Sequence, residues 1–467
     1  MMTVREAAQV LQAGWNGQDG LFTGVSTDSR TLKPGDLFVA LTGERFDGSE
    51  FVLSAKEKGA VAALVPQSAG GNALSAGIPL LHVQDTRLSL GQLAAYWRSR
   101  FTLPLIAVTG SNGKTTVKEM IAAILRQATA DGEVTTAAPA EQILATEGNL
   151  NNDIGVPLML LRLRPQHRYA VIEMGMNHVG EIGYLTQLAK PGVAVITNAG
   201  AAHIEGLGSV ETVARAKAEI FAGLDQQGTA VINADDRYAA VWRECAGARK
   251  IVDFGLREKA LVSAEYQADR LSNRIQLKLP DGIVEVKLQA PGVHNVYNAL
   301  AAAAAAIAAD IGKASIAAGL ESFQGVKGRL QKKSGLHHAL LIDDTYNANP
   351  ESVRAALAVL AATTGKKILV LGDMGELGKS AIDLHRTIGR DARNAGLDQL
   401  FTLGELSAYA TEAFGKGARH FNDIDELLHA TESLLADDVT LLVKGSRFMR
   451  MERVVRQLEQ PREPSCC

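Results

Sequence analysis

One short stretch decides most of what this chain can become. Residues 105–116 read Leu-Ile-Ala-Val-Thr-Gly-Ser-Asn-Gly-Lys-Thr-Thr, and Val117, Ile121, Ile124 and Leu125 then recur at helical spacing. A short apolar strand must therefore turn tightly between Gly110 and Gly113 and open straight into a helix. Glycines let backbone N–H groups close on an anion, and a helix N-terminus adds partial positive charge. The turn reads as a phosphate cradle. Gly110, Ser111, Asn112 and Gly113 form its loop, Lys114 can neutralise phosphate oxygens, and Thr115, ahead of Thr116, offers a hydroxyl to Mg²⁺. The common pattern has a glycine five positions before the second one, where this chain has Val108. The loop is a shortened variant.

The chain has 467 residues, a soft prior of about three domains. Its 48 Lys plus Arg against 51 Asp plus Glu give a formal charge of −3, a poor footprint for nucleic acid or anionic membrane. Three cysteines make no disulfide framework and fit a reducing compartment. The N-terminus has no apolar core of signal-peptide length. The alanine run at 299–309 is far short of the ~20 residues that span lipid, and reads as a tightly packed interior helix. A cytoplasmic chain is expected.

An α/β protein of three domains follows from the order of patterns. Residues 1–83 read as a small α/β module with turn-borne polar residues at Asp28, Ser29, Arg30, Arg45 and Phe46, either ligand contacts or turn stabilisers. Residues 84–312 alternate strands at 105–108, 169–173, 193–197 and 229–232 with helices, which implies a mostly parallel sheet covered on both faces. Residues 313–467 repeat the pattern at 339–343, 367–371, 399–403 and 439–443, a Rossmann-like doubly wound sheet.

Ligands of such sheets sit beyond the carboxyl ends of the strands. Glu173 ends one strand and reads as a Mg²⁺ ligand or an N-cap acid. His203 follows another, as a metal or phosphate ligand or a structural histidine. Lys217 falls inside the apolar stripe of the helix at 210–221, where lysine is rarely buried without a partner. Desolvation would favour its neutral amine, which can capture carbon dioxide as a carbamate; the alternative is a paired or snorkelling ammonium. Asn295 and Asn298 open the alanine-rich helix, one as cap by default and either as an adenine contact.

Six motifs then identify the chain as resembling the ATP-dependent Mur ligases of peptidoglycan precursor synthesis. They are Thr-Gly-Ser-Asn-Gly-Lys-Thr-Thr (109–116), Gly-Asn-Leu-Asn-Asn-Asp-Ile-Gly-Val-Pro (148–157), Glu-Met-Gly-Met (173–176), His-Asn-Val-Tyr-Asn (294–298), Asp-Asp-Thr-Tyr-Asn-Ala-Asn-Pro (343–350) and Gly-Asp-Met-Gly-Glu-Leu-Gly (372–378). The resemblance covers essentially the whole chain. It implies that 1–83 binds a UDP-linked substrate, 84–312 binds ATP, and 313–467 closes as the ligase domain. Lys114 and Thr115 would hold ATP phosphates and a first magnesium, Glu173 would be the shared metal ligand, and His203 would serve a second magnesium. Lys217 would be carbamoylated and act as a further metal ligand. Asn295, Arg329 and Asp344 would contact adenine, phosphate and ribose, with Lys444 on the same rim. Asp28, Ser29, Arg30, Arg45 and Phe46 would meet the uridine diphosphate end, and Asn151, Asn152, Asn347 and Asn349 the rest of the substrates.

The implied reaction is ATP-driven addition of D-alanyl-D-alanine to UDP-N-acetylmuramoyl-tripeptide through an acyl phosphate, by a monomer without nucleic-acid or membrane partners. Rivals are the diaminopimelate-adding relative, a folylpolyglutamate synthetase, and a non-catalytic ATP-binding module. The first would carry Asp-Asn-Pro-Arg in its third domain, absent here. The last would not explain Glu173, His203 and Lys217 at strand ends.

Overall fold

A computed structural model of the chain describes all residues except 44–45, 71–75, 131–137, 201–203, 270 and 461–467. Arg45 and His203 therefore lie outside the described residues. Three sheets dominate. The N-terminal one has five strands in the order Gly14–Asn16, Leu80–Val83, Ala62–Pro66, Asp36–Val39 and Gly24–Ser26, parallel except for its first edge.

The central sheet has nine strands. Leu105–Thr109 lies between Tyr169–Glu173 and Val193–Ile196, with Thr229–Asn233 and Lys250–Gly255 beyond, all parallel. These strands are almost continuously apolar, as burial on both faces demands. Helices Lys114–Ala130 and Val293–Ala308 cover one face, and Thr86–Arg98, Glu181–Ala189 and Val210–Ala218 the other. The alanine run is the interior helix expected: Ala299 and the residues 301–306 are all buried. Three strands at the far edge, Val262–Asp269, Ser272–Leu279 and Gly282–Leu288, end the sheet in antiparallel pairings, so it is mixed at that side.

The C-terminal sheet runs Gln331–Ser334, Leu340–Asp344, Val439–Lys444, Lys366–Gly372, Gln399–Leu403 and Ala418–Phe421, with only the first strand antiparallel. Helix Lys313–Ser322 belongs by packing to the central sheet. A Cβ on Gly319 would come within 2.3 Å of the Ile124 Cα, so this helix lies directly on Lys114–Ala130.

Both doubly wound sheets present strand ends to one cleft of about 1860 Å³ between them. The register sets Val108 beside Glu173 and Thr109 beside Ile196, which puts the glycine turn, Glu173 and the loop after Ile196 together at its floor.

Candidate active site

The turn after Leu105–Thr109 requires its glycines for two separate reasons. Gly113 has φ +84, and a Cβ there would also come 2.3 Å from the Asn298 Oδ1. At Gly110 a Cβ would stand 1.8 Å from the Thr197 Oγ1. We expect Gly113→Ala to cost about 1–3 kcal/mol in backbone strain and to abolish tight nucleotide binding by calorimetry. Parental affinity in that variant would show that the cradle does not need this conformation.

The loop is held from the neighbouring strand. Ser111 and Asn112 N–H groups donate to the Asn198 carbonyl at 3.0 Å and its Oδ1 at 2.9 Å, and Thr197 Oγ1 donates to the Asn112 carbonyl at 2.6 Å. Lys114 bends back so that Nζ donates to the Gly110 and Ser111 carbonyls at 2.8 and 3.3 Å. Burial pushes its pKa down; Glu173 and Glu376 oppose that, and Arg329 adds to it.

Glu173 is buried and fully engaged. Thr115 Oγ1 donates to Oε2 and Asn151 Nδ2 to Oε1, both at 2.8 Å, and the Glu173 N–H donates to Thr146 Oγ1 at 2.9 Å. Arg329 arrives from the C-terminal side, its Nη2 donating to Thr115 Oγ1 at 2.9 Å and its guanidinium 4.2 Å from the Tyr346 ring centroid. A carboxylate and a hydroxyl at hydrogen-bond distance beside a phosphate turn are hard oxygen donors, which suits Mg²⁺.

Lys217 is 2% exposed on Val210–Ala218, and among the described residues its ammonium has no hydrogen-bond partner. Burial drives its pKa well down, and the charge of Lys114 pushes the same way. Among the described residues no acid pairs with it. Among the described residues no cluster of three or more His, Cys, Asp or Glu side chains could hold a metal.

The C-terminal strand ends complete the cleft. Buried Lys444 Nζ donates to Asp344 Oδ2 at 2.5 Å and to the Asn347 carbonyl at 3.0 Å. Even so, burial keeps the Asp344 carboxyl above its usual pKa. His294, half-buried and near Lys444, has its pKa lowered to about 4 by desolvation and by that lysine's charge.

Three family models match this chain in order. "Mur ligase family, catalytic domain" covers residues 21–98, "Mur ligase middle domain" 108–306, and "Mur ligase, glutamate ligase domain" 328–447.

This chain belongs to the Mur ligase family.

It is 42% identical over 466 residues to the UDP-N-acetylmuramoyl-tripeptide–D-alanyl-D-alanine ligase of Escherichia coli (strain K12), covering 98% of each chain. The Haemophilus influenzae enzyme of the same name is 40% identical, with 97% of each covered. Among solved structures, MurF from Acinetobacter baumannii is 39% identical, with a TM-score of 0.87 over 97% of this chain and 98% of that one. MurF from Thermotoga maritima, solved in complex with ADP, is 26% identical, with a TM-score of 0.79 over 93% and 97%.

Within this Mur ligase, most of the residues singled out from the sequence meet in one place. Ser111, Asn112, Gly113, Lys114, Thr116, Asn151, Asn152, Glu173, Asn295, Arg329, Asp344, Asn347 and Asn349 all line the cleft. Thr115 stands just beneath, on Glu173. Lys217 is buried and is not on the lining. Asp28, Ser29, Arg30 and Phe46 are not on it either. Arg30 forms an exposed two-pronged pair with Asp28, at 2.8 Å from Nη2 and 2.9 Å from Nε, which holds the Asp28 pKa near 2.

Several side chains do something other than expected. Gly292, not an asparagine, caps the alanine-rich helix. Asn295 Nδ2 donates to the Pro291 carbonyl at 2.8 Å, and Asn298 Nδ2 to Asn295 Oδ1 at 3.0 Å. Both asparagines sit inside the helix, so the cap expected there is corrected. Asn152 Oδ1 accepts the Gly155 N–H at 2.8 Å, at the first residue of helix Gly155–Leu160. Asn349 caps Pro350–Ala361 with Oδ1, and its Nδ2 reaches the glycine turn at Asn112 Oδ1, 2.9 Å away. Sequence reading gave no role to Thr197 or Asn198, and named His294 and Glu376 only within motifs. Asn198 was findable, since it directly follows a strand that neighbours the turn.

Proposed function

We infer that this chain is an ATP-dependent amide ligase that adds D-alanyl-D-alanine to UDP-N-acetylmuramoyl-tripeptide in peptidoglycan precursor synthesis. The observation that carries this reading is the glycine turn with Lys114, Thr115 and Glu173 facing a C-terminal rim across one cleft, in a chain 42% identical to the Escherichia coli enzyme along its length. The tripeptide carboxylate attacks the γ-phosphoryl group of ATP, giving an acyl phosphate and ADP. The dipeptide amine then forms the C–N bond, and phosphate leaves.

Both reactants of the first step are anions. At ~4 Å and an effective dielectric near 20, a pair of unit charges repels by about 4 kcal/mol. Lys114, Arg329 and the N–H groups of the turn supply opposing charge from one side. Thr115 and Glu173 would hold one magnesium, and His203 with Lys217 a second. The metal supplies charge neutralisation while the phosphoryl group transfers.

Lys217 suits carbamoylation, since burial favours its neutral amine, which can bond to carbon dioxide with loss of one proton. Asn295 would meet adenine, and Asp344 the ribose. Asp28, Ser29, Arg30, Arg45 and Phe46 would take the uridine diphosphate end. Asn151, Asn152, Asn347 and Asn349 would frame the peptide. The units 1–83, 84–312 and 313–467 would divide these tasks, with helix Lys313–Ser322 riding on the second. The enzyme would act as a cytoplasmic monomer.

The deciding assay presents ATP and UDP-tripeptide with different amines. D-Alanyl-D-alanine should trigger ADP release, and diaminopimelate or glutamate should not. Release with another amine alone would reassign the substrate.

A further inference from the structure

Two C-terminal loops meet at the cleft in an arrangement that the phosphate turn does not use. The first follows Lys366–Gly372 and is anchored at successive residues. Asp373 accepts the Ser407 N–H at 2.7 Å, and the Met374 N–H donates to Nε2 of the buried His385 at 3.0 Å. The Gly375 N–H then donates to Ser446 Oγ at 2.7 Å. Ser446 begins the second loop, which carries Arg447 and Phe448. A Cβ on Gly375 would approach the Phe448 ring within 2.9 Å, so the two loops touch.

Directly after these anchors Glu376 is held at φ +60, a left-handed backbone that a residue other than glycine adopts at a cost. It lines the same cleft as Lys114, and its charge offsets part of the effect of burial on that lysine. Strain kept by a well-anchored loop points to a purpose for the side chain that it places. A carboxylate opposite a phosphate turn would repel the anionic reactants. The one reactant that arrives with a positive charge is the amine.

The adjoining residues match the rest of a zwitterion. Arg447 lines the cleft with 65% of its side chain exposed; its Nη1 meets Glu452 at 3.3 Å, and a guanidinium has further donors. Phe448 lines it too and is 63% exposed, an unusual position for so large an apolar ring.

We propose that Glu376, Arg447 and Phe448 form the receiving site for the incoming amine, a short zwitterionic dipeptide. Glu376 takes its α-ammonium, Arg447 its terminal carboxylate, and Phe448 covers its small side chains. This assignment rests on the ligase reading above.

Steady-state kinetics of Glu376→Gln should show the KM for D-alanyl-D-alanine raised about tenfold or more, the loss expected for one charge-assisted pair. Its KM for the dipeptide should rise by a larger factor than its KM for ATP. An unchanged dipeptide KM, or a raised KM for ATP instead, would overturn the assignment. Hydroxylamine should trap the acyl phosphate from ATP and UDP-tripeptide alone in the parent. No trapped product in the parent would sink the ligase reading and this site with it; trapping with an unchanged dipeptide KM sinks the site alone. A second measurement does not depend on Glu376. The parent should prefer D-alanyl-D-alanine over its C-terminal amide by about tenfold or more, and Arg447→Gln should erase that preference. An equal preference in both proteins would remove Arg447 from the site.

Discussion

Lys114→Ala is expected to lower ADP formation by at least about 10³-fold while leaving the fold intact. The lysine is enclosed by the turn, with its Nζ on the Gly110 and Ser111 carbonyls, so in the parent its charge is held at the position where phosphate oxygens would enter. Burial lowers its pKa, and an incoming polyanion would reverse that by favouring the ammonium. The variant loses this charge from a poorly hydrated site, where it counts most. Its only bonds among the described residues are to carbonyls of its own loop, so thermal unfolding should change little. Stopped-time measurement of ADP checks the rate, and substantial turnover would remove Lys114 from the phosphate site.

Lys217→Ala is expected to lose activity by at least about 10²-fold, and short carboxylic acids such as acetate should restore part of it. Two effects are mixed in that loss, because truncating a buried side chain also leaves a cavity. Rescue separates them: a cavity is indifferent to a carboxylate, whereas a missing oxygen ligand is not. The sign with pH follows from the direction of the shift. A lowered ammonium pKa keeps the amine neutral to lower pH than in a solvated lysine, so carbon dioxide capture should extend to lower pH than on a solvated lysine. Acidification through that lowered pKa should return the ammonium and remove activity, and so should depletion of bicarbonate. Labelled bicarbonate should appear on Lys217 in the active enzyme; an active enzyme with an unmodified Lys217 and no rescue of the variant would exclude the carbamate.

The sheet cores were legible because burial on both faces writes itself as unbroken apolar runs. Leu105–Thr109 and Val193–Ile196 are of this kind, and their spacing by helices forced parallel pairing. Lys217 was legible for the same reason, as a charge interrupting an apolar stripe. The three edge strands at 262–288 were harder. Their buried residues, such as Ile275 and Leu277, alternate with exposed ones, and an exposed face dilutes the signal. Roles set by tertiary contact were not legible at all. Asn295 turned inward because Gly292 had already taken the cap, and Asn349 splits its amide between a helix end and a turn 237 residues away. The left-handed backbone at Glu376 likewise follows anchors on His385, in the next helix, and on Ser446, 71 residues beyond Gly375.

The cleft matters only if the triphosphate sits where the glycine turn can quench its charge. A crystal structure with a non-hydrolysable ATP analogue and magnesium measures that directly. The β- and γ-phosphates should accept hydrogen bonds from backbone N–H groups of residues 113–115, with Lys114 swung from the loop carbonyls onto the γ-phosphate. An analogue bound elsewhere, with Lys114 still folded on Gly110 and Ser111, would contradict the assignment of this turn and the chemistry built on it.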